Sequence, residues 1–423
     1  MVTKDLPNVL ILSINPLDLD SNNGRTISSF FHNYPVKKIS QFFFHRASPN
    51  SSICDKFYRI SDEDIISYLL RKTKKLGKIV VNHENPTRIF SESLTNKLRT
   101  SLFFKFLRNL LFTFTVLFND DYIEWLNSCK PEIIFLCGGD TNFLYPLAIA
   151  IAKKFKIKII NYVTDDYLLM KFTLNPFYYI IRLWTKLAFL NLTRKPYTST
   201  FTIGPQMSEF YLNRFGIKSK PLMNLVNIDN FNFYSKKLNL NRIVYIGGLH
   251  SNRWKVIKKL ILTIKEKNLA YSLDIFTFDQ LNKGFHKFLK MYPYVNFRGS
   301  IKGKEVYSKL LEYDILLHVE AFDYHSRNIT FLSISTKIPE YLSTGKPILA
   351  IGPKSISSMK YLSQNRIAIT CNNNKEIQLK IATINNQKLL KEMNLNSYRI
   401  IKENHDIQKV SKEFQEALIN LRN

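Results

Sequence analysis

Residues 335–353, S-T-K-I-P-E-Y-L-S-T-G-K-P-I-L-A-I-G-P, carry residue types suited to holding phosphate at the start of a helix. Ser335 or Thr336 can cap that helix, Pro339 suits its first turn, and Gly345 with Lys346-Pro347 ends it ahead of a short apolar strand, Ile348–Ile351. Free backbone N–H groups, the positive end of the helix dipole and the ammonium of Lys337 then point at one anion-sized space. Glu340 follows Thr336 by four residues, so the helical period sets it on the same face about one turn deeper. A carboxylate there can accept from two vicinal sugar hydroxyls. Phosphate donors beside a diol acceptor describe a nucleoside diphosphate and its ribose.

A second phosphate-ready turn is Gly247-Gly248-Leu249-His250-Ser251-Asn252-Arg253-Trp254-Lys255, which follows an apolar run and precedes a helical one. The paired glycines allow a tight turn, and the backbone amides with Arg253 and Lys255 can meet a pyrophosphate from the side opposite Lys337. Such a turn is also common as a plain connector, and it gains weight from lying in the same domain as Lys337. Glu320 ends the strand candidate at 314–319, where ligands bind in α/β folds; a solvated loop acid is the competing reading. Arg327 and His325 fall in the connection before Thr336, placed to clamp a phosphate or sugar, or simply to be solvated. In the first half of the chain Asp165 and Asp166 sit at a strand end, where one of them can orient an acceptor or donor hydroxyl; adjacent residues point to opposite faces, which argues against a shared-proton dyad. Gly24-Arg25-Thr26 closes the loop after the first strand. The eight histidines form no HExxH or triad-like grouping, and neither GxSxG nor GxxxxGK[ST] occurs, so hydrolase and P-loop chemistries are poorly supported.

These residues require a scaffold that ends several strands along one edge. The first half supplies strand candidates at 8–14, 38–44, 132–137, 158–163 and 200–203, with helices from about Thr26 and over 144–155. The region 217–240, rich in Asn, Lys and Pro and without a sustained period, reads as an inter-domain passage. A second alternating series follows, with strands at 242–246, 271–278, 295–298, 314–319, 348–351 and 367–370 and helices at 253–267, 281–290, 303–312 and 336–344. The expectation is α/β: two Rossmann-like doubly wound domains, residues 1–220 and 221–404, with a last helix at 405–423 able to cross back to the first domain. A basic, apolar helical insertion is expected at about 90–125 in the first domain.

At 423 residues the chain exceeds one ordinary core, and 45% hydrophobic residues fit globular domains. Cys54, Cys129, Cys137 and Cys371 are spaced for neither a disulfide framework nor a zinc site, which suits a reducing compartment. The early apolar run at 9–14 is too short for a secretory segment, and no run of about 18 uncharged apolar residues appears. Lys and Arg number 61 against 33 acids, a net +28. Nucleic acid is disfavoured because no recognised binding motif focuses the lysines. An anionic membrane surface fits better: residues 97–118 mix large apolar side chains with Lys105 and Arg108, and 170–197 repeats the mixture around Phe177, Tyr178, Tyr179 and Trp184. A core helix with solvated lysines is the alternative.

Taken together, the strand-and-loop start at 8–26, the Asp165-Asp166-Tyr167 strand end, residues 204–208, the G-G-L-H-S-N-R-W turn and above all 335–342 with Gly345-Lys346-Pro347 resemble the retaining GT-B glycosyltransferases of the family-four, group 1 type. The resemblance implies two domains facing across a cleft, the first binding the acceptor and the second the nucleotide. It implies that Glu340 holds the ribose, Ser335, Thr336 and Lys337 the diphosphate, and Arg253 and Lys255 the same phosphates. Where the family often carries a second glutamate eight residues earlier, this chain has Leu332. The implied chemistry is hexosyl transfer with retention from a nucleotide-sugar donor to a saccharide or lipid-linked acceptor in bacterial surface polysaccharide synthesis. It would take place on the cytoplasmic face of the cell membrane, without cofactor or metal, the leaving phosphate itself taking the acceptor proton. A sugar-nucleotide epimerase or hydrolase of the same fold, or a non-catalytic basic binding protein, stays open as an alternative.

Overall fold

The computed structural model describes residues 5–83, 101–229, 231–233 and 240–422. It divides into two compact units, one of residues 1–222 with 411–423, the other of residues 223–410.

The N-terminal unit is built on an eight-stranded sheet among the described residues, in the order β4-β3-β2-β1-β5-β6-β7-β8. Its strands are β1 (Val9–Ser13), β2 (Ile39–Phe43), β3 (Lys56–Arg59), β4 (Lys78–Val80), β5 (Ile133–Cys137), β6 (Lys158–Val163), β7 (Thr198–Thr202) and β8 (Ser219–Pro221). All pairings are parallel except β3 with β4. β1 and β5 are nearly continuous apolar runs, as strands covered on both faces of a parallel sheet are, and β2 is equally buried with Ser40 and Gln41 inside it. The first helix begins at Asn22, four residues before the expected Thr26, because the Ser21 side chain accepts from the Gly24 amide. Gly24 therefore lies inside the first turn, where a Cβ would stand 2.0 Å from the Asp18 carbonyl oxygen.

Within the basic apolar insertion, residues 90–100 lie outside the described residues, and helices occupy Leu102–Leu117 and Ile123–Cys129. The last helix, Ile407–Arg422, brings Phe414 against the rings of Phe30, Phe31, Phe135 and Phe201.

In the C-terminal unit the strands are β9 (Arg242–Ile246), β10 (Ser272–Phe276), β11 (Val295–Gly299), β12 (Ile315–Val319), β13 (Ile348–Ile351) and β14 (Ile369–Cys371). They form a parallel sheet in the order β11-β10-β9-β12-β13-β14. The series runs outward from β9 in one direction and then restarts at β12 in the other. The strand order thus reverses between β9 and β12, the place where open α/β sheets bind ligands. Two apolar layers enclose the sheet, one centred on Ile257, Leu260 and Ile261 of the helix Arg253–Glu266, the other on Ile338, Tyr341 and Leu342 of the helix Lys337–Ser343.

Candidate functional site

At the carboxyl end of β9, Gly247 continues the ladder by donating its amide to the Phe276 carbonyl at 2.9 Å. Its missing side chain is the feature that matters: a Cβ there would fall 1.8 Å from Nζ of Lys337. The ammonium thus occupies the space above the glycine, 5.7 Å from the centre of the Tyr245 ring. Tyr245 in turn donates its hydroxyl to the Gly248 carbonyl at 2.6 Å, which fixes the turn that the lysine covers. Sequence position alone could not bring 247 and 337 together; the adjacency of β9 and β12 does.

Arg253, at the first position of its helix, donates through Nη2 to Oε2 of Glu320 at 3.1 Å, and its Nη1 lies 3.3 Å from Nε2 of His250. Glu320 follows β12 and is buried; its backbone donates to the Ile351 carbonyl, and Gly352 makes room, since a Cβ there would stand 2.8 Å from the Cβ of Glu320. Burial pushes the Glu320 carboxyl upward while the charges of Arg253, Lys337 and His250 pull it back. Burial likewise opposes the charge on Arg253, and Glu320 more than compensates, holding the guanidinium ionised. Arg253 is thus an anchored cation: among the described residues one of its five guanidinium donors is held by Glu320 and a second lies beside His250.

Two residues before Glu320, within β12, is His318. Its Nε2 lies 3.6 Å from Oε1 of Glu320 and has no hydrogen-bond partner among the described residues. Burial, then the positive charges of Arg253 and Lys337, push its pKa down to about 3, so the ring is neutral at ordinary pH. Arg253, Glu320 and His318 thus form one chain of contacts at the switch point, and the charge of Lys337 acts on both His318 and Glu320.

The glycine turn departs from expectation in one respect. The amides of Leu249 and His250, expected to meet phosphate, donate instead to Oδ2 of Asp279, the second at 2.9 Å. Asp279 follows β10 and also lies 3.4 Å from Nδ1 of His250. Ser251 and Asn252, at φ 53° and 58°, are left-handed in succession, a strained pair tied down by Asn252 Nδ2 donating to Asp323 at 3.1 Å. Lys255 is exposed and its Nζ sits 5.6 Å over the Trp254 ring, directed away from Arg253, as a two-residue step on a helix requires.

The helix at Lys337–Ser343 begins where expected, yet neither Ser335 nor Thr336 caps it through its side chain. The Ser335 amide donates to the Ser358 hydroxyl at 3.0 Å, and the Thr336 carbonyl accepts from Asn224 Nδ2 at 2.9 Å. Those bonds fix the helix start, whose first residue is the half-buried Lys337. Glu340 is half-buried in the first turn. Leu332 is buried in the apolar interior. Arg327 and His325 belong to a short helix, Tyr324–Thr330, capped by Asp323, and both are exposed. The connection expected there is thus helical, because Asp323 and Ser326 supply an N-terminal cap.

In the N-terminal unit, Asp166 is buried after β6 and its carboxylate accepts from the amides of Leu168 and Leu169 at 3.1 and 3.3 Å, an Asx turn that shapes the chain. Asp165 is exposed, and the Tyr167 hydroxyl approaches it at 3.4 Å and Thr164 at 3.1 Å. The two acids stand in different surroundings, as alternation along the strand end requires. Among the described residues no group of three or more His, Cys, Asp or Glu side chains gathers to hold a metal ion.

Of the residues named from sequence, the structure gathers Gly247, Gly248, Arg253, Glu320 and Lys337. His318, Asp279 and Tyr245 were missed. For His318 the signal was its i, i+2 relation to Glu320; for Asp279 it was an acid just past a strand end.

Two parallel Rossmann-like sheets in one chain make this the GT-B fold. Its likeness to solved structures spans nearly the whole chain. A glycosyltransferase from Rickettsia africae matches with a TM-score of 0.57 at 12% identity, over 98% of each chain. Anabaena HepE in complex with UDP-glucose matches at 0.58 and 11% identity, over 97% of this chain and 99% of that one. A sucrose-phosphate synthase from Thermosynechococcus elongatus matches at 0.60 and 9% identity, over 98% of each. At such identities the likeness is one of fold. No family model matches the chain, and no curated protein matches it by sequence.

Proposed function

We propose that the chain is a glycosyltransferase that moves a sugar from a nucleoside-diphosphate donor to a saccharide or lipid-linked acceptor. The observation that carries this reading is the pair of cations at the β9/β12 switch point: Lys337 in the space left by Gly247, and Arg253 anchored by Glu320. Binding of UDP-glucose by one structural neighbour supports the same class of donor.

As the bond from the sugar to the diphosphate breaks, negative charge builds on the leaving oxygens, and fixed cations in a partly buried site stabilise it. Lys337 and the remaining donors of Arg253 are placed for that role. Glu320 and neutral His318 act behind Arg253 as positioning residues, and Glu340 receives the ribose hydroxyls. Asp279 holds the amides of the glycine turn, so the phosphates are reached by side-chain cations rather than by those amides. No resident cofactor is needed; the nucleotide sugar is a substrate. The acceptor belongs to the N-terminal unit, where Asp165 is an exposed carboxylate just past β6. Transfer with retention of anomeric configuration, with the leaving phosphate as proton acceptor and a role in bacterial surface polysaccharide, completes the reading.

A UDP-GlcNAc 2-epimerase from Neisseria meningitidis shares the fold, with a TM-score of 0.53 at 15% identity. That second reading is favoured by the buried His318–Glu320 pair, and it requires no acceptor. Thermal denaturation in the presence of nucleoside diphosphates tests the shared site. The melting temperature should rise with at least one of them, and Lys337→Ala or Arg253→Ala should weaken binding about tenfold or more, as loss of a charge-assisted contact does. No stabilisation of the unaltered protein would sink both enzymatic readings. Products of a donor screen then separate them: mass gained by an added saccharide supports transfer, whereas a donor converted without acceptor to an isomer of equal mass, resolved by chromatography or NMR, supports epimerisation.

A further inference from the structure

The helix Leu102–Leu117 buries Asn109, Phe112 and Val116 and turns a different stripe outward. Phe103, Leu107, Leu111, Phe114 and Phe118 recur at steps of four, four, three and four along that outer face, and all are exposed, Phe118 at 82%. A surface helix ordinarily puts charge on this side. Beside it lies the helix Pro176–Thr193, joined through the rings of Phe103, Phe106, Phe177 and Trp184. It repeats the pattern with Ile180, Leu183 and Leu187 exposed at steps of three and four. The loop leading into it adds Phe172 and Leu174, open at 85% and 91%. Soluble monomers rarely leave so continuous an apolar surface uncovered.

The polar residues around this surface identify what covers it. Neither 101–118 nor 168–197 contains an aspartate or glutamate, while together they carry Lys105, Arg108, Lys171, Arg182, Lys186, Arg194 and Lys195. Lys105 and Arg108 are neutralised by Asp140 and Asp62 on the inward side. Arg182 and Lys186 rest against the rings of Tyr178 and Phe215. Apolar stripes with Arg182 and Lys186 beside them, and with no acid within either segment, complement an anionic lipid headgroup layer over hydrocarbon. A second copy of the chain fits poorly, because each copy carries a net +28 and the flanking charges would repel. Among the described residues no helix is long and apolar enough to cross a membrane, which leaves insertion into the interface.

We infer that the paired stripes of Leu102–Leu117 and Pro176–Thr193, with the Phe172–Leu174 tip, form a docking surface for an anionic lipid bilayer. The inference is independent of the nucleotide site.

Flotation of the full chain with vesicles of phosphatidylcholine, with and without phosphatidylglycerol, tests it. The protein should float with the anionic vesicles at low salt. Joint Leu111→Asp and Phe114→Asp replacement, or Ile180→Asp with Leu187→Asp on the other helix, should lower the bound fraction about tenfold or more. Arg182→Gln and Lys186→Gln should each weaken binding about fivefold, and only to anionic vesicles. Circular dichroism identical to the unaltered protein establishes that the exposed-site variants fold; an unfolded pair is replaced by the pair on the other helix. Absence of the unaltered protein from the floating fraction would overturn the inference. So would flotation indifferent to both stripe pairs, or concentration-dependent self-association abolished by the same variants.

Discussion

Gly247 and Gly345 show that two glycines a sequence reader would treat alike do different work. At Gly345 φ is +68°, and a Cβ would stand 1.9 Å from the backbone oxygen of Asn232, a main-chain atom and not the end of a side chain. At Gly247 the obstacle is the tip of a lysine, which can swing away. Gly345→Ala is therefore expected to destabilise the fold by roughly 2 kcal/mol or more, through a left-handed backbone and a rigid clash. Gly247→Ala should leave the melting temperature nearly unchanged and instead displace Lys337, weakening nucleoside diphosphate binding about tenfold. Isothermal titration on both variants, beside their melting curves, checks the contrast. Equal loss of stability in the two would mean that Gly247 serves the backbone after all.

At the scale of elements, His405 closes the helix Gln387–Asn404 and ties it to the helix Ser357–Gln364 and to the chain at Asn224. In its neutral form Nδ1 donates to the Asn224 carbonyl at 2.9 Å and Nε2 accepts from the Tyr361 hydroxyl at 2.7 Å. Burial pushes its pKa down to about 4. The unfolded chain binds a proton here as pH falls through about 6.5, whereas the native protein resists until about 4. Stability from this residue is thus lost on acidification between those values, at up to about 1.4 kcal/mol per pH unit. His318 has the same sign down to about 3, and Glu320 the opposite sign because its carboxyl is raised. His405→Gln keeps one donor and one acceptor, so urea unfolding from pH 7 to pH 5 should show a shallower pH slope for the variant than for the parent protein.

The same helix marks the limit of what could be read beforehand. The helix Leu144–Phe155 and strands β6, β9 and β13 were legible to the residue, because their apolar runs are unbroken and bounded by turns. Gln387–Asn404 is a helix that the sequence pattern does not announce, although Leu390, Met393, Ser397, Ile400 and Ile401 recur at helical spacing on its buried side. Too few of them are large for the period to stand out. β3, β4 and β8 are three or four residues long at or near the sheet edges, shorter than any pattern can declare. In the site, cations and strand-end acids were readable as types. Their pairings were not, because Lys337 meets Gly247 and Arg253 meets Glu320 only through strand order.

At the scale of the whole molecule, every group assigned to the donor site lies within residues 223–410, a single uninterrupted stretch with both of its own apolar layers. That stretch expressed alone is expected to bind nucleoside diphosphate with an affinity within about threefold of the full chain's, measured by titration calorimetry. A complete loss of binding in a folded fragment would place essential contacts outside it. The N-terminal unit is built differently, since Phe414, which plugs the rings of Phe30, Phe31, Phe135 and Phe201, arrives almost two hundred residues after β8, as the sequence positions 221 and 414 show. On a ribosome the order of synthesis is consequently the reverse of the order of completion. The half made first waits with an open aromatic socket while the half made second can finish, and chaperone demand during translation should fall on the first.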